Sequence, residues 1–233
     1  DLDYNDRSPA NSRIANTLTP EEIEVANRPR VAHEMGVAYR IQARHAGQDP
    51  WLFLDLRAGR RRVMREARGK SLLNVFAYTC GVGIAAAKAG AGFVVNVDFA
   101  ESSLEIGKEN AQLNELALRP RFLKSDAFAA MRQLSGIGQP TMVRGKRMPA
   151  FPKLEPRQFD LVFLDPPRYA KSPFGVVDLI NDYASVFKPA LLCTSPGGTL
   201  ICTNNVADVQ RDAWLDQLQR SAAKAGRPIR EME

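Results

Sequence analysis

Histidine and cysteine are both scarce in this 233-residue chain: two histidines, His33 and His45, and three cysteines, Cys80, Cys193 and Cys202. No CxxC pair occurs, which excludes the usual structural zinc frameworks. An odd, scattered set of thiols excludes a disulfide scaffold. With both histidines upstream, no metal site is expected. No apolar run approaches the roughly 20 residues that a membrane helix needs. The opening DLDYNDRSPANS lacks the apolar core of a secretion signal. The expectation is a soluble, cytoplasmic protein without a membrane partner. The first residue is Asp, so the chain reads as a trimmed version of something longer. An acidic excess is also missing: 32 basic residues face 26 acidic ones, a formal charge of +6. That balance permits a nucleic-acid partner without requiring one.

What is present is a rhythm. Residues 1–35 are polar and broken by Pro9, Pro20 and Pro29, an extended arm with one short helix. Thr19 is placed to cap that helix, with Pro20 at its first position and Glu21 and Glu22 in its first turn. GVAYRIQARHAG reads as a strand. Trp51–Leu56 reads as a strand end, and an Arg-rich helix follows. From Ser71 onward, strands are predicted at 71–77, 93–99, 120–126, 159–165 and 198–204. Helices are predicted between them, including one around 176–192 and one in QRDAWLDQLQRSAAKAG. Strands alternating with helices imply a parallel sheet covered on both faces, and strands buried twice show little alternation. Residues 135–158 interrupt the rhythm, with four prolines, three glycines and five basic residues against one Glu. This stretch reads as a flexible basic surface insertion, with a flap that touches substrate as the alternative.

In an open parallel sheet, ligands bind beyond the carboxyl ends of the strands. Gly81 and Gly83, in YTCGVG, would let the first loop turn and a ligand approach the backbone. A tight turn alone is the competing reading. Asp98 ends the second strand, where an acid can accept hydrogen bonds from both ribose hydroxyls. Ser102 supplies a capping signal for the following helix, which leaves Asp98 free. Asp126, with Ala127 beside it, ends the third strand and meets an adenine amino group or caps a helix. Asp165-Pro166-Pro167 ends the fourth strand. The two prolines stiffen that loop and remove two donors.

LLNVFAYTCGVG, VVNVDFA, LKSDAF, FDLVFLDPPRY and GTLICTNN, in this order, resemble the class I S-adenosylmethionine-dependent methyltransferases. With Phe53-Leu54-Asp55-Leu56-Arg57 ahead of the glycine loop, the chain is similar to the bacterial 23S rRNA large-subunit group. The resemblance runs from about Trp51 to the C-terminus. It implies a Rossmann-like α/β fold, mostly parallel with helices on both faces. Residues 1–50 form a short N-terminal extension and 51–233 the methyltransferase domain. It implies S-adenosylmethionine as cofactor and RNA, in particular 23S rRNA, as partner, with guanine favoured as the methylated base. A protein or small-molecule acceptor is the alternative. The cytosine-C5 branch carries an attacking Cys in a Ser-Cys-Ser motif. Here the chain has Thr203-Asn204-Asn205, and Cys202 reads as a core residue.

On this reading, Tyr78, Thr79, Gly81 and Gly83 lie against the methionine and ribose. Asp98 holds the ribose, Phe99 lies beside the adenine, and Asp126 meets its amino group. Asp165, Pro166 and Pro167 are the candidate catalytic residues at the acceptor pocket. Tyr169 stacks on a flipped base or simply packs. Asp55 and Arg57 close over the methionine end or form a structural ion pair. Four features depart from the group. Cys80 stands where Gly is usual, only the arm of residues 1–45 stands where the group adds an upstream RNA-binding domain, the 135–158 insertion is unlike the typical member, and the chain stops at IREME, where a sixth strand is expected. Residues 57–70 hold seven basic residues against Glu66 alone. They form a solvated helix face or a surface that contacts phosphates.

Overall fold

The computed structural model describes residues 19–42, 50–143, 145–169, 171–176 and 178–232. The predicted arm through residue 18, the tail of the first predicted strand, His45 and Arg144 of the insertion lie outside the described residues. Helix α1 (Pro20–Asn27) starts as TPEE predicts. The Thr19 hydroxyl accepts from the Glu22 amide, and the Glu22 carboxylate accepts from the Thr19 amide. Strands β1 (Arg30–Glu34) and β2 (Val37–Ile41) form an antiparallel hairpin, where only the second strand was expected. Met35 and Gly36 turn it, with φ of 53° and 77°.

Trp51–Leu56 is a run of turns and not a strand. Its carbonyls bind elsewhere: Trp51 O accepts from the Thr79 hydroxyl and Phe53 O from Arg60. Its side chains split likewise, with Leu52 buried and Leu54 in solvent.

The alternating region then builds α2 (Arg57–Glu66), β3 (Ser71–Val75), α3 (Gly81–Lys88), β4 (Phe93–Asp98), α4 (Glu101–Leu113), β5 (Arg121–Lys124) and α5 (Ala127–Leu134). A small hairpin, β6 (Met142–Val143) and β7 (Lys146–Arg147), lies within the predicted insertion. The insertion returns to the body where the Arg157 amide donates to Leu134 O and its guanidinium sits 3.8 Å over the Phe93 ring. The chain continues through β8 (Phe159–Leu164), the short pair β9 (Lys171–Ser172) and β10 (Gly175–Val176), α6 (Ala184–Cys193), β11 (Thr194–Cys202) and α7 (Arg211–Lys224). The helix expected around 176–192 therefore begins only at Ala184. The Asp178 carboxylate takes the amides of Ile180 and Asn181 and holds a turn ahead of it.

One five-stranded parallel sheet runs β11-β8-β3-β4-β5. Its central strands β8, β3 and β4 are buried on both faces, and the edge strands β11 and β5 are not. Leu73, Val75, Val162 and Leu164 pack with α5, α6 and α7, while Leu72, Leu161 and Phe163 pack with α2 and α3. The chain order reverses between β3 and β8, so the crevice opens at their carboxyl ends. No helix among the described residues is long and apolar enough to cross a membrane. No group of three or more His, Cys, Asp or Glu among them is placed to hold a metal ion.

Candidate active site

The loop after β3 turns on side-chain-bearing residues. Phe76, Tyr78 and Cys80 take φ of 58°, 48° and 63°, whereas Gly81 and Gly83 are ordinary first-turn residues of α3. The expectation that these glycines make the turn is corrected. Their missing Cβ atoms serve close packing instead. At Gly83 a Cβ would lie 1.9 Å from Asn96 Oδ1, and at Gly81 it would lie 3.3 Å from Leu52. Asn96 is itself buried in β4 and accepts from Asn74 of β3 at 2.9 Å. Cys80 adopts the left-handed conformation that favours glycine. Its thiol fills the space left by Gly107 of α4, whose Cβ would meet Sγ at 2.6 Å. Burial, then the Asp98 charge, pushes this thiol up.

Asp98 sits at the carboxyl end of β4 with 8% of its surface exposed. Its Oδ2 accepts from the Tyr78 amide at 2.8 Å, and its Oδ1 from the Ala100 amide at 2.9 Å. Ser102 does not cap α4: the cap position is Ala100, which has no side chain for the task. Asp98 thus clamps the β3 loop and braces the start of α4. Burial raises its carboxyl, and the backbone N–H groups of Ala100, Tyr78 and Phe99 pull it back down. A carboxylate has about four lone-pair sites, so beyond these three donors it can accept a further one. Phe99 follows, 72% exposed. Asp126 caps α5, accepting from the Ala129 amide at 3.0 Å, with Ala127 buried behind it.

Thr79 is committed to structure. Its hydroxyl goes to Trp51 O, and its carbonyl accepts from Asn110 Nδ2 at 3.1 Å. Asn110 of α4 and Asn114, its C-cap, also cover the free edge of β2. Asn110 Oδ1 takes the Arg40 amide, and Asn114 takes the Ala38 amide and donates to the Ala38 carbonyl. Two side-chain amides thus do the work of a neighbouring strand and dock the hairpin beside the glycine loop.

Across the crevice, β8 ends at Asp165, with Pro166 buried behind it. Asp165 Oδ1 accepts from the Thr203 hydroxyl at the end of β11. Burial raises the Asp165 carboxyl. The Thr203 hydrogen bond opposes this, and the nearby Asp55 charge adds to it. The Asp55 charge on the 51–56 turn therefore acts on the Asp165 carboxyl just past β8. Thr203 is held in turn: its carbonyl accepts from the Tyr183 hydroxyl at 2.7 Å and its amide donates to Leu164 O. Nothing in the sequence announced this contact beyond the position of Thr203 next to the expected strand end.

Asp55 and Arg57 are not paired with each other. Arg57 Nε lies 3.7 Å from Glu34, and Asp55 accepts from the Leu56 amide. The ion pair that matters is Arg60–Glu34, at 2.6 Å and 3.0 Å through Nε and Nη2, with Arg60 Nη1 donating to Phe53 O at 2.9 Å. Arg60 is 1% exposed and lies on the helix side opposite to solvent, contrary to the reading of the whole arginine run as a surface face. It ties the hairpin, α2 and the 51–56 turn together. Phe53 of that turn lies 5.5 Å from the Tyr78 ring. Tyr169 is 61% exposed. Cys202 packs at the edge of the core with a hydrogen bond to Tyr183, and burial pushes its thiol up to about 12.

The sequence pattern of the S-adenosylmethionine-dependent methyltransferases matches residues 27–227. Among curated proteins, the chain is 29% identical over 211 residues to ribosomal RNA large subunit methyltransferase I of Aeromonas salmonicida, covering 90% of this chain and 48% of that protein. It is 34% identical over 169 residues to ribosomal RNA large subunit methyltransferase K/L of Pseudomonas putida, covering 72% and 20%. The chain thus spans about half the length of the first relative and a fifth of the second. Among solved structures, a methyltransferase from Streptococcus mutans superposes with a TM-score of 0.69 at 23% identity, over 85% of this chain and 47% of that one. One from Agrobacterium tumefaciens gives 0.68 at 19%, over 83% and 58%. These two likenesses support the fold, and the family pattern over residues 27–227 supports the membership: this chain belongs to the S-adenosylmethionine-dependent methyltransferases.

Proposed function

We propose that this protein methylates a base of large-subunit ribosomal RNA, with guanine favoured. The carrying observation is the convergence on one crevice of Asp98 at the end of β4 and the Asp165–Thr203 pair at the ends of β8 and β11. The cofactor is S-adenosylmethionine, whose sulfonium supplies an activated methyl group when bound. The residues present fit it. Asp98 keeps a lone pair for a ribose hydroxyl, and an exposed Phe99 stands beside it to cover an adenine face. Asp126 and Ala127 flank the adenine edge. Tyr78, Gly81 and Gly83 shape the wall along the methionine and ribose, while Thr79 holds that wall to Trp51. Asp55 and Arg57 border the methionine end.

The chain's own task is alignment: the acceptor nitrogen must meet the methyl carbon in line, at about 3 Å. Pro166 and Pro167 fix the loop, and Asp165 hydrogen-bonds the N–H groups of the base, with Thr203 orienting its carboxylate. Tyr169 stacks on the base once it leaves its helix. No thiol serves as a nucleophile in this scheme. Cys80, Cys193 and Cys202 are all raised by burial, which suits nitrogen methylation and not the covalent route to a pyrimidine carbon. The names of the relatives support ribosomal RNA as the substrate class, and such a substrate places the reaction in the cytoplasm. The test is transfer of labelled methyl into a mixture of unmodified ribosomal RNA, ribosomal proteins and small-molecule extract. Label released by nuclease, and recovered as a methylated guanosine, is expected. Label released only by protease, or found in small molecules, would replace RNA with another acceptor.

A further inference from the structure

Residues 57–70 carry seven basic groups and one acid, a formal +6 that equals the charge of the whole chain. The fold sorts these groups. Arg60 turns inward to Glu34, and Arg57 lies near the same carboxylate. Arg62 pairs with Glu66, which also accepts from the Thr199 hydroxyl and lies 3.9 Å from Lys70. The one acid of the segment is therefore engaged on its own side. Arg61 and Arg65, one turn apart on α2, and Arg68, just past its end, are exposed and have no ion-pair partner among the described residues. At i and i+4, Arg61 and Arg65 share one helix side, about 6 Å apart along the axis, and Arg68 continues from the helix end, where its backbone bridges to Ala91.

We infer that Arg61, Arg65 and Arg68 form a track for the phosphodiester backbone of the RNA substrate, leading away from the acceptor pocket. The inference rests on the RNA reading above. Three observations support a polyanion approaching from the active site. The helix starts at the 51–56 turn, whose Trp51 carbonyl accepts from the Thr79 hydroxyl of the loop after β3. It runs from there toward the start of β3, down the side of the sheet. The arginines project from a buried anchor, Arg60–Glu34 and Val63, that fixes the helix without using them. Guanidinium groups with free donors suit phosphate oxygens, and a column of them without an interleaved acid is costly to leave unoccupied at low salt.

The experiment uses the whole chain and an unmodified large-subunit ribosomal RNA transcript, with affinity measured across a salt series. The variants are R61Q/R65Q/R68Q, R61K/R65K/R68K, and the charge-matched control R211Q/K224Q/R230Q. Each removed phosphate contact should lower the slope of log affinity against log salt by about 0.7 for single-stranded RNA, so about 2 for the triple Gln variant. The Lys variant should keep most of the slope, and the control should behave as wild type. S-adenosylmethionine affinity should be unchanged in all of them. An unchanged slope in the triple Gln variant, or an equal loss in the control, overturns the track while leaving the RNA reading intact. Wild-type protein that neither binds nor methylates RNA, but retains an acidic protein instead, overturns both.

Discussion

Gly83→Ala tests what the glycine loop is for. A Cβ at residue 83 would stand 1.9 Å from Asn96 Oδ1, 2.7 Å from its Cγ and 2.8 Å from its Nδ2. Asn96 cannot easily swing aside. It is fully buried, accepts from Asn74 Nδ2 at 2.9 Å and reaches Arg121 O at 3.4 Å. Either α3 lifts off β4, or the Asn–Asn contact breaks. Overpacking of this kind costs about 1–3 kcal/mol. A stranded buried amide at Asn74 adds about 1–3 kcal/mol. Together these are a large part of a typical domain stability of about 5–15 kcal/mol. Asn96→Ala alone removes one partner of Asn74 and should cost about 1–3 kcal/mol. The double variant G83A/N96A removes every clashing atom and should be little worse than N96A. The cycle should therefore show a favourable coupling equal to most of the G83A loss, about 2–6 kcal/mol. Urea denaturation of the four proteins measures it, with calorimetric titration of S-adenosylmethionine alongside. Strictly additive losses, or a G83A protein within about 0.5 kcal/mol of wild type, would refute the packing argument. A double variant that regains stability but not cofactor affinity would show that Gly83 acts in the ligand wall as well as in packing.

Arg60→Ala should destabilise by about 3–5 kcal/mol, because it leaves Glu34 without its buried partner, whereas R60M/E34M should recover most of that loss in the same denaturation assay. Asp98→Ala should weaken S-adenosylmethionine binding by about 10- to 150-fold, the equivalent of one charged hydrogen-bonding group at about 1.5–3 kcal/mol. Titration calorimetry at wild-type affinity would remove Asp98 from the ribose site. Asp165 should set an acidic limb in the rate profile. Methyl transfer should rise with pH as the carboxylate ionises, at a midpoint above the ordinary Asp value. Thr203→Val removes the donor that lowers this midpoint, so the limb should move to higher pH. Stability should run the other way. The folded protein holds the Asp165 proton more tightly than the unfolded chain does, so this contribution is present below the unfolded pKa and lost as pH rises through the folded one. Asp165→Asn should therefore melt no lower than wild type at neutral pH while losing transfer, and a lower melting temperature there would contradict the burial argument.

Strand periodicity and strand-end acids made most of this architecture legible. The five sheet strands fall where apolar runs predict them; Asp98 ends one, Asp165 directly follows another, and Asp126 lies two residues past a third. That legibility is physical, since a strand buried on both faces must be apolar along its whole length and a functional carboxylate must leave at its end. What stayed hidden shares one property: it depends on contacts between residues far apart in the chain. Arg60 looks like any other arginine in RRR until Glu34, 26 positions earlier, meets it in the fold. Asn110 and Asn114 look like surface polar residues until the hairpin edge docks on them. Glycines 81 and 83 read as turn formers because turn chemistry is local, while the turn itself was carried by Phe76, Tyr78 and Cys80.

Cys80 shows how the two kinds of information combine. A left-handed residue at that point favours glycine on local grounds, and its thiol is needed on tertiary grounds, to fill the notch at Gly107. The small residue of this contact is Gly107 on the facing helix, and the bulk is the loop's thiol. The site keeps its shape because the pair is complementary, and Tyr78, held by Asp98 two residues before Cys80, keeps its place at the crevice. A loop that turns on three side-chain-bearing residues depends more on its clamps than a glycine loop would. In this protein Asp98, Thr79–Trp51 and Asn110 are those clamps, and one of them is also the proposed ribose ligand. Cofactor binding and loop order are then coupled through a single carboxylate. Asp98→Ala should therefore loosen the loop even without cofactor, visible as faster amide exchange at Tyr78, and unchanged exchange there would separate the clamp from the ligand role.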